Sequence, residues 1–261
     1  MPDSTPGTQV TVPFRLLGAA QPLTEDGLAA LYAYPDGLDR CWVRGNMIAS
    51  VDGGATSDGK SGALGGTGDR ALFGLMREAA DVILVGASTV RVENYSGVRL
   101  SPAAREARRL RGQSEVPPIA VLTRSGRLDH DALLFTRTET PPLIVTSTDG
   151  AAEAADRLGG AAEIVAASGD RSDAVDPAVA LDLLAARGLR RVLAEGGPGI
   201  LGMLTGRGLL DELCLTVAPV LVGGEAQRIV SGGGGVHTAL TRSHVLADDD
   251  GYLYCRYVRA R

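Results

Sequence analysis

Apolar residues occur along the central part of the chain in short unbroken runs, and amphipathic stretches separate these runs. The runs predict buried strands at residues 41–49, 82–85, 119–122, 143–145 and 191–194. The amphipathic stretches predict helices at 69–80, 102–111 and 177–187, and a further helix from residue 200. Because strands that alternate with helices normally form a parallel sheet covered on both faces, this part is predicted to be an α/β domain.

The carboxyl-terminal part of the chain shows a different pattern. A long apolar strand at 213–221 precedes a flexible glycine-rich loop at 231–235. Residues 243–247 and 252–258 then predict a β-hairpin around the turn at 249–251. The predicted fold class is therefore α/β, with a mostly parallel central sheet flanked by helices and a C-terminal antiparallel hairpin.

Capping residues mark several helix starts. Ser101 and Asp176 are predicted N-caps; each precedes a proline at the first helical position, and a glycine follows each last turn. Thr67 is the predicted N-cap of the helix at 69–80. The glycine-rich segment at 53–68 before that helix is typical of a mobile lid.

The amino-terminal residues lie outside this alternation. The first dozen are rich in Pro, Ser and Thr and predict a mobile tail. We divide the chain into a tail and docking arm at 1–39 and an α/β domain at 40–261. The arm would dock through Leu23, Leu28, Leu31 and Tyr32.

Composition excludes several classes of function. The net charge of −5 and the lack of a basic stripe argue against nucleic acid as a partner, and the 4% aromatic content argues against base stacking. No apolar run approaches the roughly 20 residues that cross a bilayer. Three widely spaced cysteines and an amino terminus without a signal-peptide pattern favour the cytoplasm. A small-molecule substrate is therefore expected.

Glycine spacing raises the question of a dinucleotide site. Gly197, Gly199 and Gly202 have the G-x-G-x-x-G spacing, between a predicted strand and a predicted helix. A Rossmann unit needs further strand–helix pairs downstream, whereas the residues that follow predict strands and loops. The similar spacing at 66–71 follows no strand and is not interpreted as a fingerprint. We expect the glycines near 197 to hold phosphate within another fold.

Candidate chemistry gathers at the carboxyl ends of predicted strands. The turns at 86–90 and 196–199 could cradle a pyrophosphate between them, or could be tight strand-to-helix turns only. Glu195 could bind an amide-like N–H or relay a proton, with capping of a neighbouring turn as the alternative. Arg124 and Ser125 could contact a ribose phosphate. The arginines at 105, 108, 109 and 111 are interpreted as a solvent-exposed helix face.

No metal-ligand set and no G-x-S-x-G nucleophile motif occur in the sequence. The three histidines share no ligand spacing. We therefore expect hydride transfer from a bound nicotinamide. This reaction needs few acting side chains, because it depends mainly on two ligands held in contact.

Four motifs in order resemble the reductase domain of the riboflavin-pathway deaminase/reductase family, which has a dihydrofolate-reductase-like fold. The family's A-x-S-L-D-G, G-x-x-T-V-x-x-D-[DN]-P, V-E-G-G and D-E-L…AP…LG stretches correspond here to 48–53, 86–95, 194–197 and 211–223. The similarity runs from about Trp42 to Val258. It implies an NADPH-dependent reductase domain, usually dimeric, in which hydride arrives at the anomeric carbon of a phosphorylated ribosylaminouracil and yields the ribityl product.

The resemblance also implies a set of site residues. Glu195 is the catalytic candidate. The substrate candidates are Asn46, Ser61, Arg77, Glu93 and Arg99. The candidates for binding the cofactor are Ala49, Thr67, Gly86, Ala87, Ser88, Thr89, Val90, Gly196, Gly197, Pro198, Gly199, Ile200 and Leu201, with Arg124 and Ser125 near the 2′-phosphate.

Three features depart from the family pattern. The deaminase motif H-x-E with P-C-x-x-C is absent from this sequence. Asn46 replaces a common lysine, and Glu93 and Tyr95 replace an acid and a proline. Two other functions therefore stay open: a dihydrofolate or pterin reductase that uses the same NADPH groove, and a non-catalytic NADPH-binding sensor.

Overall fold

A mixed β-sheet runs through the centre of the computed structural model, which describes residues 12–19, 23–232, 235 and 237–260. The strands in these residues are β1 (Arg15–Leu16), β2 (Trp42–Ser50), β3 (Val82–Gly86), β4 (Ile119–Thr123), β5 (Leu143–Thr146), β6 (Glu163–Ala166), β7 (Arg191–Ala194), β8 (Glu212–Ala218), β9 (Leu240–Ala247) and β10 (Leu253–Arg259). The helices are α1 (Glu25–Leu31), α2 (Thr67–Ala79), α3 (Ala87–Val92), α4 (Pro102–Leu110), α5 (Leu133–Thr136), α6 (Thr148–Leu158), α7 (Pro177–Ala186) and α8 (Pro198–Gly206).

The strand order confirms the predicted fold class. The sheet runs β1-β9-β10-β8-β2-β7-β3-β4-β5-β6. The pairs from β8 through β2 to β6 are parallel, and β10 joins β8 and β9 in antiparallel pairs. Parallel strands end at one edge of the sheet, so the segments that follow β2, β3 and β7 lie close together there.

Burial explains why the central strands are apolar throughout. All five residues of β3 are buried. Ile83 and Val85 belong to one core cluster, whereas Val82 and Leu84 belong to the other, so side chains alternate between the two faces. Helices cover both faces, and a strand in that position is buried on both sides.

Helix starts follow the capping prediction at two positions and depart from it at one. The Ser101 hydroxyl accepts a hydrogen bond from the N–H of Ala104, and the Asp176 carboxylate accepts one from Ala178. The prediction that Thr67 is an N-cap was wrong. Thr67 is the first helical residue of α2, and Gly66, in an extended conformation, takes the N-cap position.

Some predicted boundaries and elements need correction. The strand predicted to reach residue 221 ends at Ala218, because the following Pro219 has no N–H to continue the ladder. The hairpin is present, but its first strand already begins at Leu240. Strand β6 and helix α6 were not predicted; β6 has only one fully buried residue and so a weak apolar pattern.

Arg108 contradicts the interpretation of a solvent-exposed arginine face. Its side chain is fully buried, whereas the side chains of Arg105, Arg109 and Arg111 are partly exposed and pair with surface acids. The Arg108 guanidinium donates hydrogen bonds to the carbonyls of Glu78, Ala80 and Ser114. Arg108 therefore satisfies carbonyls at the end of α2, which lowers the cost of burying its charge.

The arm before β2 contacts the sheet through side chains of the described residues. Leu23, Leu28 and Leu31 are partly buried against the core, and Tyr32 is fully buried. Most of the predicted mobile tail and part of the 231–235 loop lie outside the described residues. None of the helices in the described part of the chain is long and apolar enough to cross a membrane.

Candidate active site

A cavity of about 240 Å³ opens where β2, β3 and β7 end. Its walls come from β2, from the segment after it, from α2 and α3, and from the turn after β7. Eight of the residues predicted for the site line this cavity: Asn46, Ser61, Ser88, Thr89, Glu93, Glu195, Gly197 and Pro198.

Glu195 follows β7 and is held by two side chains. Its oxygens Oε1 and Oε2 accept hydrogen bonds of 2.7 Å from Nε and Nη2 of Arg77. The hydroxyl of Tyr95 donates to Oε2 at 2.8 Å. The Glu195 side chain is almost completely buried, yet it forms part of the cavity wall. A bidentate arginine and a phenol thus fix the plane of this carboxylate.

The charge of Glu195 affects the pKa values of both side chains that hold it. Burial alone would lower the pKa of Arg77, but the facing Glu195 carboxylate raises it above its usual value. Burial, and then the negative charge of Glu195, raises the pKa of Tyr95 well above 10. Arg77 therefore stays charged and Tyr95 keeps its proton, so both act as hydrogen-bond donors.

Asp69 is a third carboxyl group in the cavity wall, beside Glu93 and Glu195, and it was not predicted from the sequence. It lies in the first turn of α2, and Phe73 lines the cavity one turn later. Burial raises the pKa of Asp69, although a hydrogen bond with Thr216 and the charge of Arg70 act in the opposite direction. The signal in the sequence was the spacing of Asp69, Phe73 and Arg77, which puts three residues on one helix face.

The predicted lid contacts α3 through one acid. The N–H and hydroxyl of Ser61 both donate to Oε1 of Glu93 at 2.8 Å. Ser57 and Lys60 pair across a tight turn, in which Asp58 and Gly59 have positive φ angles of 49° and 78°. Part of the segment at 53–68 therefore lies against the cavity, which it lines with Ala55, Thr56, Gly59, Ser61 and Gly62.

Two glycine turns approach each other beside Glu195. The N–H of Gly86 donates to the carbonyl of Gly196 at 2.8 Å, and the Gly196–Gly197 peptide is cis. A Cβ atom on Gly197 would lie 2.7 Å from Oγ1 of Thr89, and one on Gly86 would lie 2.9 Å from Cγ1 of Ile200. A side chain on either glycine would therefore force the side chain of Thr89 or Ile200 to move.

The amino terminus of α8 is open to a ligand. Gly197 is its N-cap, and no side chain of the described residues caps that end of the helix. Gly197 and Pro198 both line the cavity. Because uncapped N–H groups and the helix dipole favour anions, this end fits the pyrophosphate of a dinucleotide.

Several predicted residues lie outside the cavity wall. Arg77 lies behind Glu195, and Ala49 lines a neighbouring cavity of about 510 Å³. Arg99 is exposed, and Arg124 and Ser125 follow β4, which neighbours β3. Thr67, Gly86, Ala87, Gly196, Gly199 and Ile200 lie in or beside the two glycine turns and the start of α2, away from the lining itself.

Two further residues predicted to bind the cofactor lie deeper than the cavity wall. Val90 and Leu201 have buried side chains in the hydrophobic core. The N–H of Leu201 donates to the carbonyl of Gly197 at 3.2 Å. These apolar side chains pack α3 and α8 against the sheet, and contact of either residue with the cofactor stays a prediction.

The chain is similar to known proteins in both sequence and structure. The family profile described as RibD C-terminal domain matches residues 41–254. A 2,5-diamino-6-ribosylamino-4(3H)-pyrimidinone 5′-phosphate reductase of Methanothermobacter thermautotrophicus is 31% identical over 219 residues, which cover 80% of this chain and 95% of the relative. A reductase of the same name from Aquifex aeolicus is 30% identical, over 68% of this chain and 79% of that relative.

Solved structures agree with this result. A pyrimidine reductase-like protein of Corynebacterium diphtheriae has a TM-score of 0.76 and 27% identity, over 85% of this chain and 92% of that chain. RibD of Acinetobacter baumannii has a TM-score of 0.65 at 20% identity, over 85% of this chain and 58% of that chain, and so shares the fold.

Proposed function

The chain belongs to the RibD C-terminal domain family, and from this membership we infer that it is a pyrimidine reductase of the riboflavin pathway. In this proposal it uses NADPH to convert the ribosyl group of a phosphorylated aminopyrimidine into a ribityl group. The observation that carries the proposal is the cavity itself. A glycine-lined helix terminus suited to a dinucleotide and a carboxylate fixed by two donors form walls of the same small space.

The cofactor half of the site is assigned to the two glycine turns. The start of α8 would hold the pyrophosphate, with Ser88 and Thr89 as side-chain donors from α3. Arg124, exposed after β4, would pair with the 2′-phosphate and so favour NADPH over NADH. When bound, the reduced nicotinamide supplies a hydride to the anomeric carbon of the sugar.

The substrate half is assigned to the carboxyl groups and to Asn46. Glu195 already accepts three hydrogen bonds from the protein and is an acceptor for a substrate N–H or O–H. Asn46 can both donate to and accept from a pyrimidine edge. The side chains of this wall match an aminopyrimidine, whose ring carries amino and N–H donors next to carbonyl acceptors.

Asp69 is proposed as the proton source. Reduction at the anomeric carbon would break its bond to the ring oxygen, and that oxygen would need a proton. Because burial raises the pKa of Asp69, this carboxyl group can hold a proton at a higher pH than an exposed aspartate. Glu195 and Asp69 thus have different environments and, in this proposal, different roles.

Assembly and location complete the proposal. Val51, Val220 and Leu221 are exposed apolar residues at the ends of β2 and β8, and the N–H of Val51 bonds the carbonyl of Val220. Such a patch favours a homodimer, which light scattering on the purified protein would detect. Cys41, Cys214 and Cys255 are buried and free, which fits the reducing cytoplasm.

The test is an NADPH oxidation assay with product analysis. The purified chain would receive 2,5-diamino-6-ribosylamino-4(3H)-pyrimidinone 5′-phosphate, the corresponding ribosylaminouracil phosphate and dihydrofolate in parallel, with NADH replacing NADPH in a second series. We expect NADPH-dependent formation of a ribityl product from one of the two pyrimidines. NADPH binding without turnover of either pyrimidine would contradict the proposal.

A further inference from the structure

A short turn after α3 contacts two different parts of the site. Glu93 ends the helix and accepts the hydrogen bonds of Ser61 in the lid. Asn94 has a φ of 51°, in the left-handed region that reverses the direction of the chain. Tyr95 follows it, and its N–H is anchored to the carbonyl of Val90 at 3.0 Å. The turn therefore directs Tyr95 away from the lid and toward Glu195.

Tyr95 changes what Glu195 can offer to a substrate. A carboxylate has about four acceptor positions. Arg77 fills one on each oxygen, and Tyr95 fills a second one on Oε2. Counting the contacts of the described residues, one position is thus left, on Oε1. Without the Tyr95 hydroxyl, Oε2 would have a free acceptor position as well, and the carboxylate could rotate about its bidentate contact with Arg77.

We propose that Tyr95 is a positioning residue, which together with Arg77 fixes the Glu195 carboxylate so that Oε1 accepts one donor hydrogen of the pyrimidine ribosyl substrate. This role rests on the proposed function for the identity of the substrate. The contact itself is a property of the protein alone. Tyr95 replaces the proline of the motif that this segment resembles, and a proline has no hydroxyl to donate.

The Tyr95 ring also packs, so the hydroxyl must be tested separately from the ring. The guanidinium carbon of Arg77 lies 5.6 Å from the Tyr95 ring centre and 4.1 Å from the Phe73 ring centre. The substitution Tyr95→Phe keeps the ring and removes only the oxygen. Tyr257→Phe, on β10 and outside the cavity lining, is the matched control.

The kinetic experiment is a double-mutant cycle with Tyr95→Phe, Glu195→Gln and the double variant. We expect Tyr95→Phe to lower kcat about tenfold, the loss typical of one hydrogen bond to a charged group, with little change in the KM for NADPH. In the Glu195→Gln background the same change should have no further effect, since Tyr95 acts through that carboxylate. Unchanged kcat in Tyr95→Phe, or losses that add in the double variant, would overturn the proposal.

A measurement without substrate separates this proposal from the proposed function. The Nε–H group of Arg77 donates to Glu195 and gives its own signal in a proton–nitrogen NMR spectrum, assigned by its loss in Arg77→Lys. We expect Tyr95→Phe to shift this signal and Tyr257→Phe to leave it in place. If the wild-type chain reduces neither pyrimidine, the NMR measurement alone tests the positioning role of Tyr95. A shifted Arg77 signal in Tyr95→Phe supports that role, and an unshifted signal overturns it.

Discussion

Arg44 and Glu212 face each other in register on the adjacent strands β2 and β8, and neither side chain has any exposed surface. Glu212 also accepts a hydrogen bond from Nε of Arg256 at 2.9 Å. The two arginines donate to the carbonyls of Tyr32 and Leu31 at 2.7 and 2.6 Å. This buried ion cluster therefore joins the amino-terminal arm to the sheet at the carboxyl end of α1.

The first prediction concerns the stability of this cluster. Glu212→Gln leaves two buried guanidinium groups without their counter-charge, and breaking a buried pair costs about 3–5 kcal/mol. We expect a loss of that size in the free energy of unfolding in urea. Glu163→Gln is the control, because Glu163 forms an ion pair with Arg187 on the surface, which is worth about 1 kcal/mol or less. Equal losses in the two variants would show that the cluster contributes no more than a surface pair.

The second prediction concerns His244 and the dependence of stability on pH. It is buried edge-on against Tyr32, and burial followed by the positive charge of Arg256 lowers its pKa from 6.5 to about 4. The unfolded chain thus binds the proton more tightly than the folded chain. Stability from this group is complete above pH 6.5 and falls as the pH drops toward 4, by up to about 3 kcal/mol.

Unfolding in urea at pH 7 and at pH 4.5 measures this loss. In His244→Gln the difference between the two pH values should shrink, whereas His130→Gln, which alters an exposed histidine, should leave it unchanged. The assignment fails if His244→Gln keeps the full pH dependence of the wild-type protein.

The third prediction compares the NADPH affinity of two alanine variants in the glycine turn after β7. Gly197→Ala places a methyl group 2.7 Å from Oγ1 of Thr89, whereas Gly199→Ala meets no atom within 4 Å. Overpacking of this kind costs about 1–3 kcal/mol, which corresponds to about tenfold or more in affinity when the binding site must shift. NADPH titration followed by fluorescence should show weaker binding for Gly197→Ala and near-normal binding for Gly199→Ala. Near-normal NADPH affinity in Gly197→Ala would remove this turn from the cofactor site.

Much of the fold could be predicted because the signals are local. The unbroken apolar run of β3 and the caps at Ser101 and Asp176 depend on neighbouring residues only. The site depends on residues that are distant in sequence. Tyr95 and Glu195 are 100 residues apart, and nothing near either residue reveals the contact.

The burial of Arg108 likewise could not be predicted from the local sequence. Its helix has charged residues on most sides, so the sequence pattern predicts exposure. The guanidinium is buried because three carbonyls of other segments accept its hydrogen bonds. A periodic pattern records which residues are polar, but it does not show where their partners lie.

Asp69 provides the final prediction, on catalysis. If it supplies the proton, it must be protonated to act, so kcat should fall as the pH rises through its pKa. Because burial raises that pKa, the fall should occur at a higher pH than for an ordinary aspartate, near 3.9. Asp69→Asn should lower kcat about 100-fold, the lower range for a general acid. It should also abolish the fall of kcat with rising pH, while NADPH affinity stays near normal. Asp149→Asn changes the matching first-turn acid of α6 and is the control for effects on the helix terminus. A normal kcat in Asp69→Asn, or an unchanged decrease of its kcat at higher pH, would assign the proton to another group.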